Sequence, residues 1–401
     1  MKISDLLTKL AALQYFSCFA LIILSLTSAC QKTESPLINC SKGNYDCFIS
    51  EYTKLIENNP KNYEYYFNRA VVYDDKKNYE QAVDDYTKAI ELNPDFEKAY
   101  FNRGLSYDSA KKFDEAIADF SKAIELTPLD GKIYDSRGNS YGGKKEYDEA
   151  IQDYSKAIEI NPKNELAYVN RGIIFTDKEN YEQAFNDFNK AIEINPKDST
   201  AFVNRGIAYA DQKEFDKAIT DYNTALSLKP NDELAFFNRG YVYYQLKNFN
   251  DAIMDFNNVL ELNPKKGTAY ANRGRCFYSK GDYKQSIFDL NKAIELMPED
   301  SSAYDSRGNA YSKLGEYINA FSDYAKALEL NPENDKVFDN RGFAYFKTKS
   351  FHQAIDDYNK AILLNPNNKN AYKNRADAFE KIGEKAKAQL DREKAKALET
   401  Q

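Results

Sequence analysis

Ten of the chain's eleven prolines fall in one arithmetic series: Pro60, Pro94, Pro128, Pro162, Pro196, Pro230, Pro264, Pro298, Pro332 and Pro366, each 34 residues after the last. Only Pro36 lies outside it. Proline lacks the backbone N–H and disfavours the α conformation at the residue before it, so each one marks the end of a helix. A fixed period of this length means one small structural unit repeated in tandem, each copy burying its apolar face against its neighbours. A chain of 401 residues would otherwise suggest two or three compact domains.

One copy, Ala99–Pro128, displays the unit. Tyr100, Gly104 and Tyr107 share one face of a first helix, and after a break at Lys111–Lys112 a second face carries Ala116, Phe120, Ala123 and Ile124. Glycine inside a helix costs about 1 kcal/mol against alanine, so Gly104 demands a reason. With Ala116 and Ala123 also small, close approach of the two helices supplies it. Glycine recurs in step from Gly138 to Gly342, with Ala70 and Ala376 in its place at the ends, and the closing alanine runs from Ala82 to Ala388 with Ser286 the exception. Asp or Asn stands at the expected helix cap in eight copies, at 62, 130, 164, 198, 232, 300, 334 and 368, and only Phe96 and Lys266 break the pattern.

A 34-residue helical hairpin with small–aromatic–small spacing and a terminal proline resembles the tetratricopeptide-repeat (TPR) family, and the resemblance covers about nine-tenths of the chain. It implies an all-α fold, an α-solenoid with a right-handed superhelical path, made of ten hairpins plus an N-terminal half-repeat. The boundaries are 43–60 for the capping half-repeat and 61–401 for the array, whose last copy departs furthest. There Lys385, Arg392 and Thr400 replace the aromatic, aromatic and proline of its predecessors, and a charged outer face forms the polar end cap that such arrays need. In the half-repeat, Tyr45, Phe48 and Tyr52 sit where the family has aromatic, small and aromatic residues. A large Phe48 in the small position suits a helix with no first helix packed on it.

Residues 1–42 lie outside the repeat. Lys2 and Lys9 precede an apolar run, Tyr15–Leu26, and Leu26-Thr27-Ser28-Ala29 leads into Cys30. The run is short for a bilayer span and is followed by small residues, as in a signal peptide over 1–29. Small residues immediately before a cysteine resemble the lipobox of bacterial lipoproteins, although Thr27 stands where leucine is commoner. The resemblance implies lipidation of Cys30 and a membrane-anchored tether over 30–42. Gln31, not aspartate, follows the cysteine, which by the same resemblance favours the outer membrane, on its periplasmic or surface face. An ordinary secretory signal or an uncleaved anchor are the other readings. Cys40 and Cys47 flank the start of the half-repeat and are either a disulfide of an oxidising envelope or two free thiols, which spacing alone leaves open. Cys276 falls on a first helix as a packing residue.

The most distinctive local motif is Asn-Arg-Gly in the first helix. Arginine holds its place in all ten copies, from Arg69 to Arg375, where the TPR consensus has leucine, and sixteen residues later an aspartate is equally regular, from Asp85 to Asp391. An arginine on one helix and an aspartate on the other, always together, read as an internal ion pair, since a partly buried arginine requires a partner. Nothing resembles an active site. There is no phosphate loop, zinc spacing or nucleophile elbow, the single histidine, His352, stands alone, and adjacent carboxylates such as Asp84-Asp85 and Asp356-Asp357 read as solvated faces. No catalytic residue, cofactor or metal is expected. A net charge of −7 argues against nucleic acid as the partner, and no small-molecule substrate is indicated.

Binding remains. In TPR proteins ligands lie against the first helices, and by resemblance the contacts come from the residue before Asn-Arg-Gly, its Asn, and the residue after its Gly. The copies differ: most present a large apolar pair there, whereas the third has Asp135 and Asn139, the seventh Ala271 and Arg275, and the eighth Asp305 and Asn309. The expected site is therefore Val169, Asn170, Ile173, Val203, Asn204, Ile207, Phe237, Asn238 and Tyr241, a groove for an extended peptide or helix of a partner protein, with Phe237 and Tyr241 as aromatic anchors. The apolar columns serve equally well to pack neighbouring first helices, and the sequence leaves that choice open. Acidic residues (Asp74, Asp75, Asp108, Asp177, Asp211) lie toward its N-terminal side and lysines (Lys313, Lys347, Lys381) beyond it. The lysines of a chaperone-tail clamp are missing from the wall apart from isolated Lys98, Lys132 and Lys373. The functional expectation is a non-catalytic interaction scaffold anchored by lipid in a bacterial envelope, the alternative being a soluble secreted or eukaryotic TPR adaptor.

Overall fold

A computed structural model of the chain describes residues 40–41 and 43–399. The signal-peptide and Cys30 readings lie outside the described residues. Two units divide the chain, residues 1–228 and 229–401, and the described residues of each form helices joined by short turns, with no strand among them.

Unit one opens with the half-repeat helix α1 (Tyr45–Asn58) and continues with five hairpins: α2 (Tyr63–Asp75) and α3 (Tyr79–Leu92), α4 (Glu97–Ser109) and α5 (Phe113–Leu126), α6 (Gly131–Lys144) and α7 (Tyr147–Ile160), α8 (Glu165–Asp177) and α9 (Tyr181–Ile194), α10 (Ser199–Asp211) and α11 (Phe215–Leu228). Unit two holds five more: α12 (Glu233–Gln245) and α13 (Phe249–Leu262), α14 (Gly267–Ser279) and α15 (Tyr283–Leu296), α16 (Ser301–Leu314) and α17 (Tyr317–Leu330), α18 (Asp335–Lys347) and α19 (Phe351–Leu364), α20 (Lys369–Lys381) and α21 (Lys385–Ala397). Within each unit every helix packs on the next, and first helices of successive hairpins touch one another. Each unit thus presents a wall of first helices on one side and a row of second helices on the other.

The eight Asp and Asn caps perform as expected. Each side-chain oxygen accepts a backbone N–H of the following first turn, as Asp232 does from Leu234 and Ala235, whereas Phe96 and Lys266 make no such bond. At the turn between helices the chain passes through the left-handed region. Lys213 (φ 62°) sits there, with Glu214 N–H closing the turn on the Tyr209 carbonyl at 2.8 Å.

Small residues do allow close packing, but what fills the space is a ring. A Cβ at Gly104 would lie 2.7 Å from Cε1 of Phe120, and one at Gly206 equally close to Cε1 of Tyr222. The aromatic of the second helix therefore lies flat across the first helix, buried with the alanines on either side. Truncating such a ring to alanine would cost about 3–5 kcal/mol.

At the N-terminus Cys40 and Cys47 are joined in a disulfide, with Cα atoms 5.8 Å apart, and Asn44 caps α1. Lys76 reaches back to Asp46 at 2.6 Å and Arg69 to Thr53 at 2.9 Å, so α1 is fastened to the first hairpin. At the other end α21 buries Ala388, Asp391 and Ala395 and leaves its other charged residues exposed. Cys276 is fully buried and His352 exposed, as read. The adjacent carboxylates need correction: Asp84 and Asp356 are exposed, but Asp85 and Asp357 are buried, because each faces the arginine of its own repeat.

Candidate functional site

The arginine–aspartate pair exists in all ten repeats with one geometry. Nε donates to Oδ2 and Nη2 to Oδ1 of the aspartate sixteen residues on, at 2.6–2.8 Å. This two-pronged arrangement matches guanidinium to carboxylate and is stronger than a single bond. A ring three residues before lies over the guanidinium in every repeat, and several have a second ring four residues after, as Tyr100 and Tyr107 flank Arg103 at 5.8 and 5.9 Å. The hydrogen bond to Asp85 raises the pKa of Arg69, while burial pushes Asp119 up against the opposing pull of Arg103.

A third bond was not anticipated. Nη1 of the arginine donates to the side chain sixteen residues earlier, on the second helix of the preceding repeat. The acceptors are Thr53, Thr87, Ser121, Ser155 and Asn189 in unit one, and Asn257, Asn291 and Asn359 in unit two, at 2.6–2.9 Å. Each of these eight arginines therefore closes its own hairpin and links it to the helix before. Ala325, which has no acceptor, stands at the corresponding place before Arg341.

The asparagine of the motif lies on the wall of first helices, and its partner depends on the preceding repeat. Where that repeat has an aspartate before the motif, the amide crosses to it: Asn170 Nδ2 donates to Asp135 at 3.4 Å and to Asn139 at 3.1 Å, Asn340 to Asp305 at 2.9 Å, and Asn374 to Asp339 at 3.0 Å. Asn204, Asn238 and Asn272 instead fold back onto the carbonyl four residues earlier in their own helix, at 2.9–3.0 Å. Burial raises the carboxyl of Asp135 to about 6, with the Asn170 hydrogen bond opposing it. Asp74 reaches about 6 for the same reason, although Ser106 and Tyr86 both donate to it.

The apolar half of the expected groove is largely interior. Val169, Val203, Ile207 and Phe237 are buried, Phe237 to 3 % exposure with its ring 5.8 Å from Phe256. The column before the motif points between helices onto the ring of the second helix, as Phe67 and Phe101 do on Tyr86 and Phe120. Phe237 is therefore a packing residue, not an exposed anchor, and Asn238 is buried as well. Asn170, Ile173 and Asn204 in unit one and Tyr241 in unit two remain partly accessible. The side-chain oxygens of Asn170, Asn204, Asn340 and Asn374 accept no hydrogen bond from within the described chain.

Among the described residues no group of three or more His, Cys, Asp or Glu is arranged to hold a metal ion. Models of tetratricopeptide repeats match 63–96, 97–128, 136–164, 166–198, 234–266 and 340–368, and a further one 188–220. Another, described as TPR repeat, matches 208–247, 274–315 and 308–349. Among solved structures, the chain is similar to the APC/C hetero-tetramer Cut9–Hcn1, with 16 % identity, 84 % of this chain and 82 % of that one covered, and a TM-score of 0.54. A TPR protein from Parabacteroides merdae ATCC 43184 is 24 % identical over 62 % of this chain and 99 % of its own, with a TM-score of 0.49. No curated protein matches the chain.

Proposed function

We propose that this chain, which belongs to the tetratricopeptide-repeat family, is a lipid-anchored scaffold of a bacterial envelope that holds an extended or helical segment of a partner protein against its first helices. Repeats of this family are protein-interaction scaffolds, and a matrix of packed hairpins leaves the wall as the surface with spare hydrogen-bonding capacity. The observation that carries the reading is the row of wall asparagines. Asn170, Asn204, Asn340 and Asn374 each fix the amide through an internal hydrogen bond and keep the side-chain oxygen for an incoming N–H. Fixed acceptors at repeat spacing suit the backbone of a bound segment, with Ile173 as an accessible apolar contact on the wall of unit one and Tyr241 on that of unit two.

Export rests on the leader before Cys30, and the Cys40–Cys47 disulfide supports it, because such bonds persist in oxidising compartments. Metabolic labelling with a fatty-acid analogue tests the anchor. The expected result is a labelled, membrane-bound protein whose label disappears in Cys30→Ser. Label retained by that variant, or a mature mass that includes residues 1–29, would overturn it.

A further inference from the structure

Eleven of the twelve arginines are held by carboxylates: the ten motif arginines by their own aspartates, and Arg392 by Asp377 and Glu380. Arg275 is the exception among the described residues. It stands on α14 one place after the motif glycine, where other repeats carry Val71, Leu105, Ile173 or Phe343, and it is partly accessible on the wall. Its guanidinium is held by neutral oxygens only: Nε donates to Ser306 Oγ at 3.2 Å, Nη1 to Asn272 Oδ1 at 3.2 Å, and Nη2 to Ser302 Oγ at 2.9 Å.

Those three acceptors are themselves fixed. Ser302 Oγ donates to Asp300 at 2.6 Å, Ser306 Oγ to the Ser302 carbonyl at 2.7 Å, and Asn272 Nδ2 to the Thr268 carbonyl at 3.0 Å. The guanidinium is thus oriented from two helices, α14 and α16, while its charge stays uncompensated by any directly bonded carboxylate. Three of its five N–H groups are engaged and two remain. The nearby carboxylate is Asp305, which takes its hydrogen bond from Asn340 at 2.9 Å, and Lys336 adds a second positive charge on that side. An oriented guanidinium with spare N–H groups is suited to a carboxylate, since little further side-chain entropy is lost when the bond forms.

We propose that Arg275 recognises a glutamate or aspartate side chain of the segment bound across α14 and α16. This rests on the reading of the wall as a binding surface. A side chain, not a C-terminal carboxylate, is the fitting source: α12 touches α14 on one side and α16 and α18 continue on the other, so a bound segment passes Arg275 instead of ending there.

The test uses the full-length chain and three immobilised dodecapeptide libraries, random except at the centre. One carries a central Glu and an amidated C-terminus, one a central Gln and an amidated C-terminus, and one a central Gln and a free carboxylate. The wild type should retain the Glu library about five- to tenfold more than either Gln library. Arg275→Gln should retain all three equally, at the wild-type level for Gln, with its thermal midpoint close to that of the parent. If that variant is unfolded, Ser302→Ala with Ser306→Ala, which frees the guanidinium without removing it, should lower the Glu preference several-fold. A Glu preference absent from the wild type, or surviving in both variants, overturns the proposal while leaving the wall reading intact. A preference for the free carboxylate that is lost in Arg275→Gln overturns the side-chain assignment. Retention of no library by the wild type overturns the wall reading and this proposal together.

Discussion

Replacing Arg205 with leucine strands Asp221, a carboxylate whose side chain is only 6 % exposed and whose two oxygens take N–H bonds at 2.7 and 2.8 Å. Breaking a buried pair from one side costs about 3–5 kcal/mol, because the remaining charge is desolvated without compensation. The same change removes the 2.6 Å bond to Asn189 and the stacking over Phe202, which add about 1 kcal/mol each at most. Arg205 itself is 19 % exposed, so water entering on its side should hold the total near the lower end of that range. Converting both members to uncharged packing residues, Arg205→Leu with Asp221→Tyr, leaves no stranded charge and should recover most of the loss. Amide exchange in α10 and α11, read by mass spectrometry on the whole protein, reports the local opening free energy without assuming that the array unfolds as one unit. At 1.4 kcal/mol per decade, Arg205→Leu should speed exchange there by roughly a hundredfold or more, and the double variant by far less. Single effects that simply add in the double variant would show that the pair does not interact, and would refute the argument.

Two further outcomes follow from groups on or behind the wall. Tyr222 is fully buried and its hydroxyl has no hydrogen-bond partner, since Ile207 and Ala210 stand where Asn139 and Asp74 receive Tyr154 and Tyr86. In urea denaturation, Tyr222→Phe should therefore stabilise or be neutral, whereas Tyr86→Phe should lose about 1 kcal/mol; equal losses would contradict the burial argument. The Asp135 carboxyl is raised to about 6, above its unfolded value, so its contribution is complete below pH 4 and is lost as the pH rises through 6. Asp135→Asn, which keeps an oxygen for Asn170, should be more stable than the parent by about 1–2 kcal/mol at pH 8 and no better at pH 4, and a gap independent of pH would refute this.

Much of this architecture is legible in the sequence because a repeat writes each structural requirement ten times. The prolines fix the period, the Asp and Asn caps fix where helices begin, and the arginine–aspartate columns fix which faces of a hairpin meet. The acceptor column from Thr53 to Asn359 was also visible, as residues that nearly all carry an oxygen, but its meaning requires knowing that it faces the next repeat's arginine. The wall was harder to read. A column of apolar residues has the same periodicity whether it faces a groove or a neighbouring helix, and Val203 and Phe237 proved to face the neighbour. The switch of the asparagines between Asp135-type partners and their own helix depends on contacts 35 residues apart, which local spacing does not encode. The Cys40–Cys47 bond likewise needed the distance between the two backbones.

The claim that partners bind along the first helices is tested most directly by placing a photoreactive phenylalanine analogue at single positions of the full-length protein in its native cells. Ile173 and Tyr241 lie on the wall, and Gln183 is exposed on the second helix α9. Illumination should give a discrete adduct with another protein from the two wall positions and none from Gln183. Adducts from Gln183 alone, or equal adducts from all three, would contradict the account.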